Sequence, residues 1–335
     1  MSISTTAFAD YTILQQVADH GTLGELHRVR DERTGRTVAL RIVREEYAAG
    51  WRRDKLLASA AAARTVSHPH VAALYDFGEA DGKLFLAHEF VPGQSLASLL
   101  DGRPMELHLA VALAIHLADA LAEGERAGLL HGDLEPASVI VTPADQAKLI
   151  DLGFTSWTSG GAARRKLSAE VSVGQEWWED GFPGPRNRPA SYMSPEEVLG
   201  QRLDRRSDIF SLGVMLYQMV TGQVPFGGAT DAGTALKIVQ ASPPSVSRVN
   251  PSVPAKLDAV VTRMLAKNVD GRYQRAADVA SELRQIAADL EVRTLGARQP
   301  DRPPRPAPRR RPVGTGVGFG VIVLLVLTAL AVWLL

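Results

Sequence analysis

Cysteine is absent from this 335-residue chain. That excludes disulfide cross-links, thiolate nucleophiles and cysteine metal sites, and it suits a reducing compartment. Net charge is missing too: 37 Lys and Arg balance 37 Asp and Glu, so no global field draws the chain to nucleic acid, and no such partner is expected. The N-terminus, MSISTTAFADY, has neither the basic start nor the apolar run of a secretory leader. Aromatic residues are sparse at 6%, which makes Trp157, Trp177 and Trp178, close together in one stretch, conspicuous. No internal repeat occurs. The rest is an ordinary globular composition, long enough for one large domain or two small ones.

Four regions follow from the composition. Residues 1–10 read as an N-terminal extension and 11–292 as a globular domain, with a smaller lobe over 11–92 and a larger one over 93–292. Residues 293–312 read as a linker. Within it, Arg298–Pro312 carries six Arg and six Pro, a composition that cannot build a core and favours an extended tether. Residues 313–335, VGTGVGFGVIVLLVLTALAVWLL, contain no charged side chain. As a helix this run would be roughly 34 Å long, enough for a hydrocarbon layer of about 30 Å. A C-terminal transmembrane helix is therefore expected. Arg309, Arg310 and Arg311 at its edge put the globular part on the cytoplasmic side of the inner or plasma membrane, within reach of anionic lipid. Nothing follows Leu335, so no sensor domain is expected on the far side. Gly314, Gly316, Gly318 and Gly320 form two overlapping G-x-x-x-G spacings. That pattern lets two helices approach closely, although glycine is also simply common in membrane helices.

In the first 90 residues, Tyr11–Ala18, Gly24–Arg30 and Thr37–Val43 read as a three-stranded meander. Residues 52–66 are rich in helix formers, and Val71–Phe77 and Lys83–His88 resume as strands around an Asp81-Gly82 turn. Beyond Gly93 the period becomes helical, with long helices over Glu106–Ala127 and Arg206–Thr221 and shorter ones over 255–267 and 276–290. A β-rich part followed by an α-rich part makes a bilobal α+β protein.

Seven short motifs then occur in order: Val38-Ala39-Leu40-Arg41, His68-Pro69, His131-Gly132-Asp133-Leu134-Glu135-Pro136, Asp151-Leu152-Gly153, Tyr192-Met193-Ser194-Pro195-Glu196, Ser207-Asp208-Ile209-Phe210-Ser211-Leu212-Gly213, and a single Arg272. Together they resemble the bacterial Ser/Thr protein kinases related to eukaryotic kinases, over about residues 11–290. The resemblance implies a protein-kinase fold using ATP and magnesium. It implies that Asp133 stands at the catalytic-base position and Asp151 at a magnesium position. Asp208 would hold the catalytic loop through backbone hydrogen bonds, and Glu196 would pair with Arg272. Gly21, Gly24, Leu26, Ala39, Arg41, Glu89, Val91, Ile140 and Asp151 fall at nucleotide-binding positions, and His88 at the gatekeeper position. A core histidine bonded to a backbone group is the reading preferred for His88.

Phosphotransfer rests on positioning and charge stabilisation, and here the charged positions depart from the family. Arg41 replaces the ATP-gripping lysine, and the two are not equivalent at such a site. Ser59 replaces the glutamate that steadies it. Gly132 replaces the arginine that reads activation-segment phosphorylation, Glu135 replaces a lysine, and Ser138 replaces the asparagine that holds magnesium. The first position of the glycine loop falls at Asp19, or at Ala18 if the register slips by one, and a plain hairpin is the reading preferred there. An Arg41–Glu135 salt bridge closing the cleft is one compensation that charge allows. Each lost electrostatic contact costs about 10²–10³ in rate. The expectation is a membrane-anchored pseudokinase, regulatory or scaffolding, with weak ATP binding and at most a magnesium ion on Asp151. Its partner would be a protein, such as an active kinase or a signalling complex, with homodimerisation through the transmembrane glycines as a further expectation. The alternative is an active Ser/Thr kinase with an atypical site. A small-molecule phosphotransferase is disfavoured by the Ser194-Pro195-Glu196 motif and the long helix after it. The tryptophans of 151–196 would either form a partner-binding hot spot or fold back on the large lobe.

Overall fold

The computed structural model describes residues 7–21, 23–154 and 190–297. The three tryptophans at 157, 177 and 178, the Arg/Pro tether and the apolar run 313–335 lie outside the described residues. Two compact units divide the chain, Met1–Glu291 and Val292–Leu335.

The first unit begins with a six-stranded antiparallel sheet. Its strands are β1 (Ala7–Phe8), β2 (Tyr11–Gly21), β3 (Gly24–Asp31), β4 (Thr37–Val43), β5 (Leu74–Ala80) and β6 (Lys83–Glu89), in the order β1-β2-β3-β4-β6-β5. Strand alternation divides its apolar residues between two faces. On β6, Phe85 and Ala87 join Tyr11, Val29 and Leu40 in one cluster. Leu84 and Leu86 join Leu23, Val43 and Leu74 in another. Helix α1 (Gly50–Ala63) covers this second face with Leu56, Ala60 and Ala63.

The expected helix over 52–66 is therefore shifted towards the N-terminus, and Val66 belongs to the core of the helical lobe. β5 likewise begins at Leu74 and not at Val71. Val71 forms a parallel bridge to Leu149, where the Ala72 N–H donates to the Leu149 carbonyl at 2.9 Å. This links the small lobe to a second sheet of β7 (Gln94–Ser95), β8 (Val139–Val141) and β9 (Ala147–Leu149).

The large lobe opens with the short α2 (Leu96–Leu99) and centres on α3 (Leu107–Arg126) and α5 (Arg205–Thr221), with the short α4 (Pro195–Val198) between them in sequence. α5 is apolar almost all round and is buried on every face, from Ile209 to Val220. Its first turn is closed by Asp204, which accepts the Arg206 N–H at 2.8 Å, while the Asp204 N–H donates to Ser207 Oγ. α3 has the length and composition of a membrane span, yet more than half of that stretch is buried inside the protein. Leu113, Leu117 and Leu121 make it a core helix. Helix α9 (Ala276–Ala297) is preceded by α6 (Asp231–Gln240), α7 (Val246–Val249) and α8 (Ala255–Met264).

Candidate functional site

β4 carries Arg41 into the cleft, in register with Leu26 on β3 and Leu86 on β6. Its side chain is 5% exposed. One guanidinium nitrogen donates to Asp151 Oδ2 at 2.6 Å and the other to the Gly24 carbonyl at 3.3 Å. The Arg41–Glu135 bridge that charge allowed is not the one that forms. Arg41 turns to Asp151, 110 residues away in sequence and itself only 17% exposed. Asp151 adopts a left-handed backbone, φ +61°, which is costly for a residue with a Cβ. At Gly24, φ is +146° and a Cβ would meet the Ile42 carbonyl oxygen at 2.0 Å. That glycine is required by strand packing. Gly21 pairs with Gly24 across a tight hairpin; the side chain of Asp19 lies outside the described residues.

The loop around Asp133 hangs on α5. Asp208 accepts the N–H groups of His131 and Gly132, each at 2.8 Å. His131 is 1% exposed, and its Nε2 meets the Ile150 carbonyl at 3.1 Å. The Asp133 N–H lies 3.3 Å from His131 Nδ1. Glu135 opens a 3₁₀ turn over Pro136–Ser138. Ser138 Oγ closes that turn, donating to the Glu135 carbonyl at 2.7 Å and accepting the Glu135 N–H at 3.2 Å. Magnesium needs several free oxygens in near-octahedral array. One oxygen of Asp151, Oδ2, is engaged by Arg41, and the Ser138 hydroxyl is engaged by its own turn. Among the described residues no cluster of three His, Asp or Glu is arranged to hold a metal. The donors present do not fit the ion in this arrangement.

Leu26, Ala39, Val91 and Ile140 are all half-buried, on β3, β4, the hinge and β8 respectively. The hinge is clamped by a residue that the motifs did not single out. Lys148 on β9 grips both oxygens of Glu89, at 2.6 and 2.7 Å. The Glu89 N–H donates to the Ala73 carbonyl at 2.8 Å. A lone charge among the apolar residues before Asp151 was the signal for Lys148.

His88 is 6% exposed, and its Nε2 has no hydrogen-bond partner. The expected bond to a backbone group is not found. The ring instead stands edge-on to Phe154, centroids 5.6 Å apart. Burial, with the charge of Arg41 acting in the same sense against Asp151, pushes its pKa down to about 4. Phe154 is 1% exposed and packs with Leu56, Ala60 and Ala63 of α1. Where the lysine–glutamate pair of the family would tie this helix to the site, an aromatic ring does so. Ser59 is half-buried on the same helix.

Glu196 at the start of α4 receives two bonds from Arg272, at 2.7 and 2.8 Å. Arg272 also donates to the carbonyls of Ala266, Lys267 and Arg206. Burial raises the Glu196 pKa, but the Arg272 hydrogen bonds and charge, with the Ser207 hydroxyl, outweigh it and hold the carboxyl below its ordinary range. Tyr192 is fixed to α5 through Gln218 and Ser211.

A β-rich lobe, a helical lobe and this loop anchored by Asp208 define the protein-kinase architecture. Residues 11–284 match the protein kinase domain family model, and the chain belongs to that family. It is 32% identical to the serine/threonine-protein kinase PknB of Mycolicibacterium smegmatis, covering 95% of this chain and 53% of that protein. It is 30% identical to PknB of Mycobacterium leprae, covering 82% of this chain and 42% of that one. The chain thus spans about half the length of these curated relatives. The crystal structure of the Mycobacterium tuberculosis PknI kinase domain, carrying one substitution, matches with a TM-score of 0.62 at 24% identity. That match covers 86% of this chain and the whole of the other, and it speaks for the fold.

Proposed function

We propose that this chain is a pseudokinase: a kinase-shaped regulatory or scaffolding protein that engages a protein partner and does not transfer phosphate. The observation that carries this is the buried Arg41–Asp151 ion pair, which occupies both the lysine position and the metal position of the cleft. The commitment of Ser138 to its own turn supports it. The half-buried apolar positions Leu26, Ala39, Val91 and Ile140 leave room for weak, metal-independent binding of ATP. Residues 313–335 would anchor the chain as a single span, with the kinase-like unit cytoplasmic. Their freedom from charge and the preceding arginines support that topology. Anionic lipid would meet those arginines, and the glycines at 314, 316, 318 and 320 would favour a homodimer.

The second reading is an active Ser/Thr protein kinase, favoured by the retained Asp133 and by the relatives named serine/threonine-protein kinase. The experiment is thermal unfolding of the full chain with ATP, in magnesium and in EDTA, beside a phosphate-incorporation assay. A ligand at a hundred times its dissociation constant stabilises by about 2.7 kcal/mol. The pseudokinase reading expects no incorporation, and either no shift or the same shift in both buffers. A shift that requires magnesium, with incorporation lost in Asp133→Asn, would establish the enzyme instead.

A further inference from the structure

A groove of about 810 Å³ opens on the large lobe. This is within the size range of clefts that hold ligands. Four arginines border it: Arg126 from the end of α3, Arg202 and Arg205 around the start of α5, and Arg275 just before α9. Two carboxylates, Glu125 and Asp204, share the lining. Four positive and two negative groups leave an excess of two positive charges.

The two acids are already used by the fold. Asp204 caps α5 and is gripped by the Arg206 guanidinium, which is not part of the groove. Glu125 accepts the Ala276 N–H at 2.9 Å, and burial raises its pKa. The arginines are less committed. Arg126 pairs with Glu123. Arg205 donates to the Gln274 carbonyl at 2.6 Å, a neutral acceptor, and makes no direct ion pair, although its charge acts on Glu125 and Asp204. The side chains of Arg202 and Arg275 are exposed and make no hydrogen bond or ion pair among the described residues, although the charge of Arg275 acts on Glu125. Between these forks lies an apolar strip of half-buried leucines, Leu129, Leu130 and Leu203.

We propose that this groove docks an acidic peptide segment of a partner protein, an apolar side chain resting on the leucine strip and flanking carboxylates taken by Arg202, Arg205 and Arg275. A guanidinium presents paired donors that match a carboxylate. The surplus of positive charge selects an acidic strand, and the apolar strip selects a peptide over a bare anion. Leu130 directly precedes His131, and Asp204 caps the helix whose Asp208 holds His131 and Gly132. A segment seated here therefore bears on both supports of the Asp133 loop. The inference rests on the partner-binding half of the proposed function. The groove does not include Arg41 or Asp151, so its failure leaves the nucleotide result standing, and the converse also holds.

The test is fluorescence anisotropy of the full chain in mild detergent, with a labelled peptide of Glu and Asp flanking a central Leu pair. Saturable binding is expected that weakens with salt and that falls about tenfold in Arg202→Glu/Arg275→Glu. Arg202→Gln/Arg275→Gln should fall less, and Arg248→Glu, outside the groove, should bind as the parent does. Both groove side chains are exposed and make no hydrogen bond, so all variants should fold, and the Gln pair separates loss of the docking cations from repulsion between the glutamate introduced at position 275 and Glu125. Unchanged binding in the double reversal would overturn the proposal. So would equal loss in Arg248→Glu, equal affinity for the Gln/Asn version of the peptide, or a preference for anionic vesicles over the peptide.

Discussion

At Gly132 the backbone turns through φ +72°, a conformation that glycine adopts freely and an arginine would strain. His88 works in the opposite sense, since an imidazole nitrogen buried without a partner carries an unrecovered desolvation cost. His88→Leu should therefore raise stability by about 1 kcal/mol, read as a higher urea midpoint at unchanged slope. The sequence showed that a polar ring stood at this position; it did not show that the ring lacked an acceptor, because that depends on Phe154 arriving from sixty-six residues away. The Arg41–Asp151 pair was hidden for the same reason. Both residues were singled out as site positions, yet a charge count alone could not choose between Glu135 and Asp151. The choice is made by the left-handed turn that aims Asp151 at β4.

Elements with a strong period were legible: α3, α5 and strands β3, β4 and β6 lie within a residue or so of where alternation and helical spacing put them. The second sheet was not, since two- and three-residue strands are too short to display a period. Its position comes from contacts made elsewhere, such as the Val71 bridge. Between α4, α5 and the loop before α9, Arg272 is the shared fastening, fully buried with five donated hydrogen bonds. Glu196→Gln leaves that guanidinium buried without its counter-charge and should cost about 3 kcal/mol or more. Replacing both partners with apolar residues, Glu196→Leu/Arg272→Met, should recover part of the loss. Chemical unfolding of the three proteins measures the difference, and equal losses in the single and double variants would mean that the charge pairing itself is unimportant.

For the molecule as a whole, acid is the expected weakness. His116 on α3 is stacked on His70, centroids 4.0 Å apart, with Asp119 and Arg284 nearby. Burial, and then the neighbouring His70, push its pKa from 6.5 down to about 4. As pH falls through that interval the unfolded chain takes up a proton that the folded chain refuses, so stability declines from pH 6.5 to about 4. Glu196, held below its ordinary range, adds a further loss once the pH drops below the usual carboxylate value. Unfolding free energy measured across this range should be level above it and sloping within it, with a shallower slope in His116→Gln. The Lys148–Glu89 clasp has a consequence of another kind. Together with Arg41–Asp151 it fastens the two lobes at two points, one at the hinge and one buried in the cleft. On the pseudokinase proposal, a jaw pinned at two points would keep one bite as nucleotide came and went, the outline offered to other proteins would be a constant, and any variation in its signal would have to come from who is present to read it.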